Sequence, residues 1–480
     1  MSRRDHQIDR RFAYGRELRP TAINEFVADT ITMPVPDRYK SIRHDIDGAT
    51  SHGAHMLSVA AGWPDLLADA PNLNRDAAAE ADIVFVQLPA RTVADTNGNS
   101  LGAHVFSALQ YIASRTALSA KVVANLSYGS YAGPHDGSSL IEKAINKFVH
   151  DENAVRKGAN GSFDLVIAAG NGYQSASHAR VKLTNTKPSV NVPFRVMPDD
   201  TTWTFIEVWY RQSSGVTVAV QPPGSSKASS AVGPNSVQRF GDSNEPTCVI
   251  VHAANASSIG EIVNSMALVA IAPTRRLSGT KKAEAPYGVW QLVLNYDGRG
   301  EVQVDAWIER DEPILEPTFP KRQATFVVDA QPFAQRDDDY PRISHATKEA
   351  TVNSIATGYA NNRNVHIVGA TVASSGHFSD YSPAGDITPG KCPAPSALAE
   401  ADENDVLYGR LVYGNYDSVV VRRSGTSIAA AMHSRKLLND RASGGSAARA
   451  ARPPASPPSS LAATTSPLAP ARGGKAHDAQ

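Results

Sequence analysis

Three side chains far apart in the chain, His52, Asn171 and Ser427, have the types that acyl transfer needs. An imidazole takes a proton from a hydroxyl, the hydroxyl attacks a carbonyl carbon, and a side-chain amide N–H stabilises the tetrahedral oxyanion. Ser427 lies in "SGTSIAAAMHSRKLL", where Ile428, Met432, Arg435 and Leu438 recur at helical spacing and alanine fills the gaps. A serine in the first turn of a helix has two readings. It caps the helix, or it uses the free N–H groups and positive dipole end there to carry an oxyanion. His52 stands at the start of "SHGAHMLSVAAG", a helical stretch with Met56, Val59 and Ala60 facing inward. Asn171 ends the run "VIAAGNG" with glycine on both sides. Plainer readings stand beside these. Asn171 could instead be a plain turn residue between glycines, and His52 with His55, and His44 beside them, a metal pair. No carboxylate or cysteine at ligand spacing completes such a metal site.

The elements around these residues alternate. "ADIVFVQLP", "KVVANLSYG" and "FDLVIAAGN" are short apolar runs of the kind expected for strands buried on both faces. "SLGAHVFSALQYIA" lies between the first two as a helix with Leu101, Val105, Leu109 and Ile112 on one stripe. "SSLIEKAINKFVH" follows as a second helix with Leu140, Ile141, Ala144, Ile145 and Phe148 inward. Residues 20–31, "PTAINEFVADTI", form a further helix with Ile23, Phe26, Val27 and Ile31 at helical spacing. Strands alternating with helices predict a parallel sheet with helices on its faces and ligands at the carboxyl ends of its strands. From about residue 185 the texture changes. "TTWTFIEVWYR", "GVTVAVQPPG", "TCVIVHAAN", "VNSMALVAIAP", "YGVWQLVLNYDG" and "GEVQVDAWIERDE" are β-branched or aromatic segments divided by Gly, Pro, Ser and Asn. They predict antiparallel strands of a β-sandwich or jelly roll, with Trp203, Trp209, Trp290 and Trp307 as core. The α/β texture returns with "VHIVGATV" and "SVVVRRSGTS", so the sandwich reads as an insertion within one α/β domain. The expected division is 1–184 and 313–440 for the α/β domain, 185–312 for the insertion, and 441–480 for a disordered Ala/Pro/Ser/Arg-rich tail.

Composition narrows the partners. Lys+Arg and Asp+Glu both number 47, which argues against a general polyanion binder, so no nucleic acid is expected. Two cysteines, Cys248 and Cys392, exclude a disulfide scaffold and a four-cysteine zinc site, and both read as free thiols. No apolar run approaches a membrane span, so no membrane is expected. The charged start "MSRRDHQIDRR" is no secretory signal, which places the chain in the cytoplasm if Met1 is the true start.

Taken together in this order, the segments resemble those of the subtilisin-like serine peptidases. His-Gly-Ala-His at 52–55 is similar to that family's His-Gly-Thr-His, which implies His52 as the catalytic base. Ala-Ala-Gly-Asn at 168–171 resembles the oxyanion segment and implies that role for Asn171. Gly-Thr-Ser-Ile-Ala at 425–429 resembles the nucleophile motif and implies Ser427. "NLSYG" resembles the substrate-binding strand, which implies that Ser127, Tyr128 and Gly129 pair with substrate backbone, although Tyr128 also reads as a core aromatic. "SPAGDITPG" resembles the loop before the nucleophile strand. The resemblance covers 40–172 and 353–438. It implies a subtilisin-like parallel sheet interrupted by an all-β insertion, a serine endopeptidase acting on protein or peptide substrates, and no cofactor, with calcium admitted by the family but no site assignable. The alternative is an impaired pseudo-peptidase that binds peptides or a partner. An α/β-hydrolase reading fails because that fold needs its histidine after the serine. Only His433, on the nucleophile's own helix, and His477, in the tail, follow Ser427.

The chain departs from the family in one essential place. The family's aspartate ends a first strand some thirty residues before the histidine, and no such strand is found. Asp29 falls on the polar side of a helix, Asp45 and Asp47 lie too close to His52, and Asp5 and Asp9 sit among arginines. The expected place for the strand is upstream of Met1. At the other end Ala431-Met432 replaces the family's Pro-His, and the chain passes into low complexity where packed elements are expected.

Overall fold

The sheet that carries the candidate residues is built from the strands whose apolar runs stand out in the sequence. The computed structural model describes residues 12, 14–34, 37, 51–62, 75–89, 92, 100–211, 215–242, 244–259, 262–276, 283–311, 322–327, 342–343, 362–383, 395–415 and 419–444. In chain order the helices are α1 (Pro20–Thr30), α2 (His52–Ala60), α3 (Leu101–Ser114), α4 (Leu140–Lys157) and α5 (Thr426–Ala442). The strands before the change of texture are β1 (Lys121–Leu126) and β2 (Ser162–Ala168). There follow β3 (His178–Thr184), β4 (Ser189–Val196), β5 (Thr204–Arg211), β6 (Val216–Gln221), β7 (Ser236–Gly241), β8 (Pro246–Ile259), β9 (Ile262–Ile271), β10 (Gly288–Tyr296), β11 (Glu301–Ile308), β12 (Thr325–Phe326) and β13 (Arg342–Ile343). The last are β14 (Val365–Val372), β15 (Ala397–Asp402), β16 (Arg410–Tyr413) and β17 (Val420–Arg423).

β1, β2, β14 and β15 form a parallel sheet in that spatial order. β2 is central, and alternate residues face different layers. Phe163, Leu165 and Ile167 pack with Leu101, Val105 and Leu109 of α3 and Ile145 and Val149 of α4. Val166 and Ala168 pack with Met56 of α2 and Ile428, Ala429, Ala430, Ala431 and Leu437 of α5. Both faces are therefore covered by helices, as a run without polar alternation requires. Three consecutive buried alanines let α5 lie close beneath the sheet. Its far end is held by Arg441, whose Nε and Nη2 donate to the two oxygens of the buried Asp164 at 2.9 and 2.7 Å. α4 begins with a capping box formed by Ser139 and Glu142.

Between β2 and β14, which are neighbours in the parallel sheet, the chain runs through antiparallel strands. One sheet has the order β12-β4-β10-β6 and the other β13-β3-β11-β5-β9-β8-β7. Their facing side chains share one core that includes Val181, Leu183, Val192, Phe194, Val208, Val218, Val269, Trp290, Leu292 and Val304. The six segments read as strands in the sequence are β5, β6, β8, β9, β10 and β11. Trp290 and Trp307 are each 1% exposed.

Three expectations change. Residues 81–89 form no strand, and Ile83 and Phe85 are 55% and 54% exposed instead of buried on both faces. A ladder needs a neighbour, and β1, the edge of the described sheet, pairs only with β2. Leu140 is the first residue of α4, one turn before the buried Ile145, and stands in solvent. α1 is helical as expected, but Ile23, Val27 and Ile31 are exposed while Ala22 and Thr30 are buried. Among the described residues no helix is long and apolar enough to cross a membrane. Cys248 is buried and free, whereas Cys392 and residues 445–480 lie outside the described residues.

Candidate active site

The parallel register brings Leu126 opposite Ile167, so Ser127 and Asn171 leave the sheet on the same edge, at the carboxyl ends of β1 and β2. The N-terminus of α5 arrives between them. Ser427 Oγ donates to the Ser127 carbonyl at 3.4 Å, and Ser127 Oγ donates to the Ser427 carbonyl at 3.2 Å. The N-cap of α5 is Gly425, which has no side chain to cap it, and Ser427 bonds none of the helix's N–H groups. The capping reading of Ser427 therefore fails, and its half-buried hydroxyl stands in the first turn, where Ile428 N and Ala429 N are already bonded to Gly425 O.

Asn171 is fixed from behind by Thr426. Its Oδ1 accepts from Thr426 N and Thr426 Oγ1, both at 2.8 Å, and Thr426 Oγ1 accepts from Gly170 N at 3.0 Å. Two donors on one atom define that atom as the oxygen, so the orientation of the amide follows from its bonding. The Nδ2 group is left as a donor on an exposed residue whose anchor, Thr426, is the neighbour of Ser427. Gly425 is required here. Its φ is 125°, and a Cβ would come within 3.0 Å of Asn171 Nδ2.

A second anchor is invisible in the sequence. Tyr381 Oη accepts from Gly425 N at 2.8 Å and donates to Asp402 Oδ2 at 2.7 Å. Asp402 is fully buried and also accepts from Ser379 Oγ and Gly409 N. Burial, followed by the Asp402 carboxylate, pushes the Tyr381 phenol well above its ordinary value, so it remains a donor. Thr426, Tyr381 and Asp402 hold the nucleophile turn, and only the Gly-Thr-Ser string hints at Thr426.

His52 is the first residue of α2. Ser51 caps that helix, accepting from Ala54 N at 3.4 Å and donating to Asn415 Oδ1 at 2.8 Å. The His52 side chain keeps an exposed face. Crowding around it, then the charges of Arg310 and Arg423, hold the imidazole below the usual histidine range. Among the described residues no carboxylate contributes to its electrostatics, and it makes no hydrogen bond to Ser427. Asp29 lies exposed on α1, whereas Asp5, Asp9, Asp45 and Asp47 lie outside the described residues. His55 is 3% exposed, its Nε2 has no partner among the described residues, and desolvation lowers its pKa to about 4. His44 and residues 384–390 lie outside the described residues. Among the described residues no group of three or more His, Cys, Asp or Glu is placed to hold a metal. Tyr128 packs against the core under α3 and reaches Thr92 O at 3.5 Å, and Gly129 is half-buried where the chain leaves Ser127.

No protein-family model matches the chain, and no curated protein matches it in sequence. Among solved structures the fold is similar to that of the CspB protease of Clostridium perfringens, with a TM-score of 0.60 and 18% identity over 86% of this chain and 74% of that chain. At that identity the likeness speaks to the arrangement of elements alone.

Proposed function

We propose that the chain is a serine-type endopeptidase of the subtilisin-like kind, with the antiparallel sheets as an inserted β-sandwich or jelly roll. Ser427 is the nucleophile and His52 the general base. Ser427 Oγ attacks the scissile carbonyl carbon and its proton passes to the imidazole. The carbonyl oxygen becomes an oxyanion facing Asn171 Nδ2 and the Ser427 N–H. When the C–N bond breaks, the imidazolium returns the proton to the leaving amine, and water then releases the acyl group by the same steps. Ser127 to Gly129 offer backbone groups to an extended substrate. The observation that carries the reading is the locked Asn171 amide, with its oxygen committed to Thr426, the neighbour of Ser427, which leaves Nδ2 as its donor. The fold shared with a protease supports it. Hydrolysis of an unfolded protein substrate, lost in both Ser427→Ala and His52→Ala, tests it.

The second reading is a pseudo-peptidase that binds extended peptides without cutting them. It is favoured by the surroundings of His52, where Arg310 and Arg423 stand and no described carboxylate does. A carboxylate holds the tautomer and stabilises the imidazolium, and a triad without it loses about 10⁴-fold in turnover. Two cations near His52 oppose the imidazolium further. Peptide binding that survives in folded protein with no turnover would select this reading.

A further inference from the structure

The loop that follows Ser127–Gly129 does not lie free on the parallel sheet. It is gripped at successive points by the seven-stranded antiparallel sheet. Gly133 N donates to Glu207 Oε2 of β5 at 2.6 Å, and the same oxygen accepts from Trp209 Nε1 at 2.8 Å. The His135 ring stacks on Trp307 of β11 at 3.7 Å with 7° between planes, and His178 of β3 stacks on the other side of Trp307 at 3.8 Å and 11°. Asp136 Oδ2 accepts from Asn264 Nδ2 of β9 at 2.8 Å. The buried Ser138 hydroxyl pairs with Ser257 of β8 at 2.6 Å and accepts from Asn264 at 3.0 Å.

The loop needs this grip to keep its shape. His135 has φ 52°, a left-handed conformation unfavourable for a residue with a Cβ, and Gly133 and Gly137 have φ 126° and 81°. His135 Nε2 also donates to Tyr131 O at 2.9 Å, which closes the turn on itself. A backbone held in a sparsely populated region persists when its surroundings over-determine it, and here the surroundings are strands β3, β5, β8, β9 and β11. At its other end the same stretch meets the nucleophile, since Ser127 and Ser427 exchange hydrogen bonds. One face of the antiparallel sheet is thus joined to the nucleophile helix through about ten residues of chain.

We propose that the seven-stranded antiparallel sheet is the positioning element of the peptide-binding segment, with Glu207 and Trp307 as the residues that set where Ser127–Gly129 stand relative to Ser427. The substrate this arrangement selects is an extended polypeptide, because what the sheet fixes is a stretch of backbone beside the nucleophile. The inference rests on the peptidase reading of Ser427 and Ser127–Gly129. Its structural half, the grip itself, is separately measurable.

The test uses the full chain and the variants Glu207→Ala, Glu207→Gln and His135→Ala. Removing the acceptor of Gly133 N should speed amide exchange over 127–134 by about tenfold, the usual weight of one such hydrogen bond, while β10 in the opposite sheet is unchanged. Glu207→Gln keeps a carbonyl acceptor and should restore most of the protection. On an extended peptide, Glu207→Ala should raise KM about tenfold with kcat nearly constant. The rate at which a small fluorophosphonate labels Ser427 should be unchanged. A general loss of structure would instead lower kcat, labelling and β10 protection together. Unchanged exchange over 127–134 in folded Glu207→Ala and His135→Ala overturns the proposal, as does faster exchange with unchanged KM. If the parent neither labels nor cuts, the peptidase reading has failed, and the exchange experiment still decides whether the sheet grips the loop.

Discussion

Asn171 performs two tasks with two different atoms, and substitutions can separate them. Its Oδ1 takes both hydrogens of Thr426, a residue 1% exposed, and its Nδ2 is the proposed oxyanion donor. Asn171→Ala removes both. It leaves the Thr426 N–H and Oγ1–H without their acceptor, each costing about 1–3 kcal/mol where water cannot reach. It also removes an oxyanion donor, worth about 100- to 1000-fold in rate. Asn171→Asp keeps an acceptor for Thr426, at a helix N-terminus that favours a carboxylate, but turns the donor edge into a second acceptor. The expected outcome is that Ala lowers the urea midpoint and slows labelling of Ser427, whereas Asp slows labelling at least as much with the midpoint nearly kept. Fluorophosphonate labelling rates and urea curves on the same preparations read the two effects. If Asp destabilises as much as Ala, the anchoring role of Oδ1 is wrong. If Asp labels at the parent rate, Nδ2 is not an oxyanion donor.

Two further outcomes follow from burial and topology. His55 and His433 have folded pKa values of about 4 against 6.5 when free, both chiefly through desolvation. The unfolded chain therefore binds more protons between these values, so their contribution is fully present above about pH 6.5 and is lost as pH falls toward 4. The shift corresponds to roughly 3 kcal/mol per group at most. The urea midpoint should drop steeply between pH 7 and 4.5, with a shallower slope in His433→Gln, and a flat profile over that range would contradict the burial of both rings. A fragment spanning residues 174–330, expressed alone, should unfold cooperatively as all-β and outlast one spanning 185–312. Only the longer piece includes β3, whose Val181 and Leu183 are fully buried in the shared core, and β12. Equal stability of the two by urea denaturation would show that β3 belongs energetically to the parallel-sheet domain.

How much the sequence discloses depends on whether a feature is local. The run Phe163–Ala168 is apolar throughout because β2 has helices on both faces, and it is recognisable for that reason. β3 and β4 also carry a local signal, since Ala179, Val181 and Leu183, then Val190, Val192, Phe194 and Val196, alternate with polar or half-exposed residues. Arg180, Lys182 and Pro193 mask that alternation from a reading that looks for apolar density. Residues 81–89 mislead in the opposite direction, because composition favours a strand while pairing needs a partner elsewhere in the chain. At the site, His52, Asn171 and Ser427 can be picked out by type and neighbours. What holds them cannot. The pairing of Ser127 with Ser427 spans 300 residues, and the Thr426–Asn171 pair spans 255. Tyr381 lies in the stretch "FSDYSPAGDITPG" but nothing there marks it as an anchor, Asp402 carries no motif at all, and the two arginines near His52 come from distant parts of the chain.

The most direct measurement of the central claim is covalent labelling of the folded chain with a fluorophosphonate, followed by mass spectrometry to locate the adduct. The expected result is one adduct on Ser427. It should form slowly because His52 has no described carboxylate beside it and two cations near it, and it should be absent in Ser427→Ala. An adduct on another residue, or labelling that survives Ser427→Ala, would contradict the assignment of the nucleophile. A folded protein that takes no label at Ser427 would contradict the peptidase reading itself.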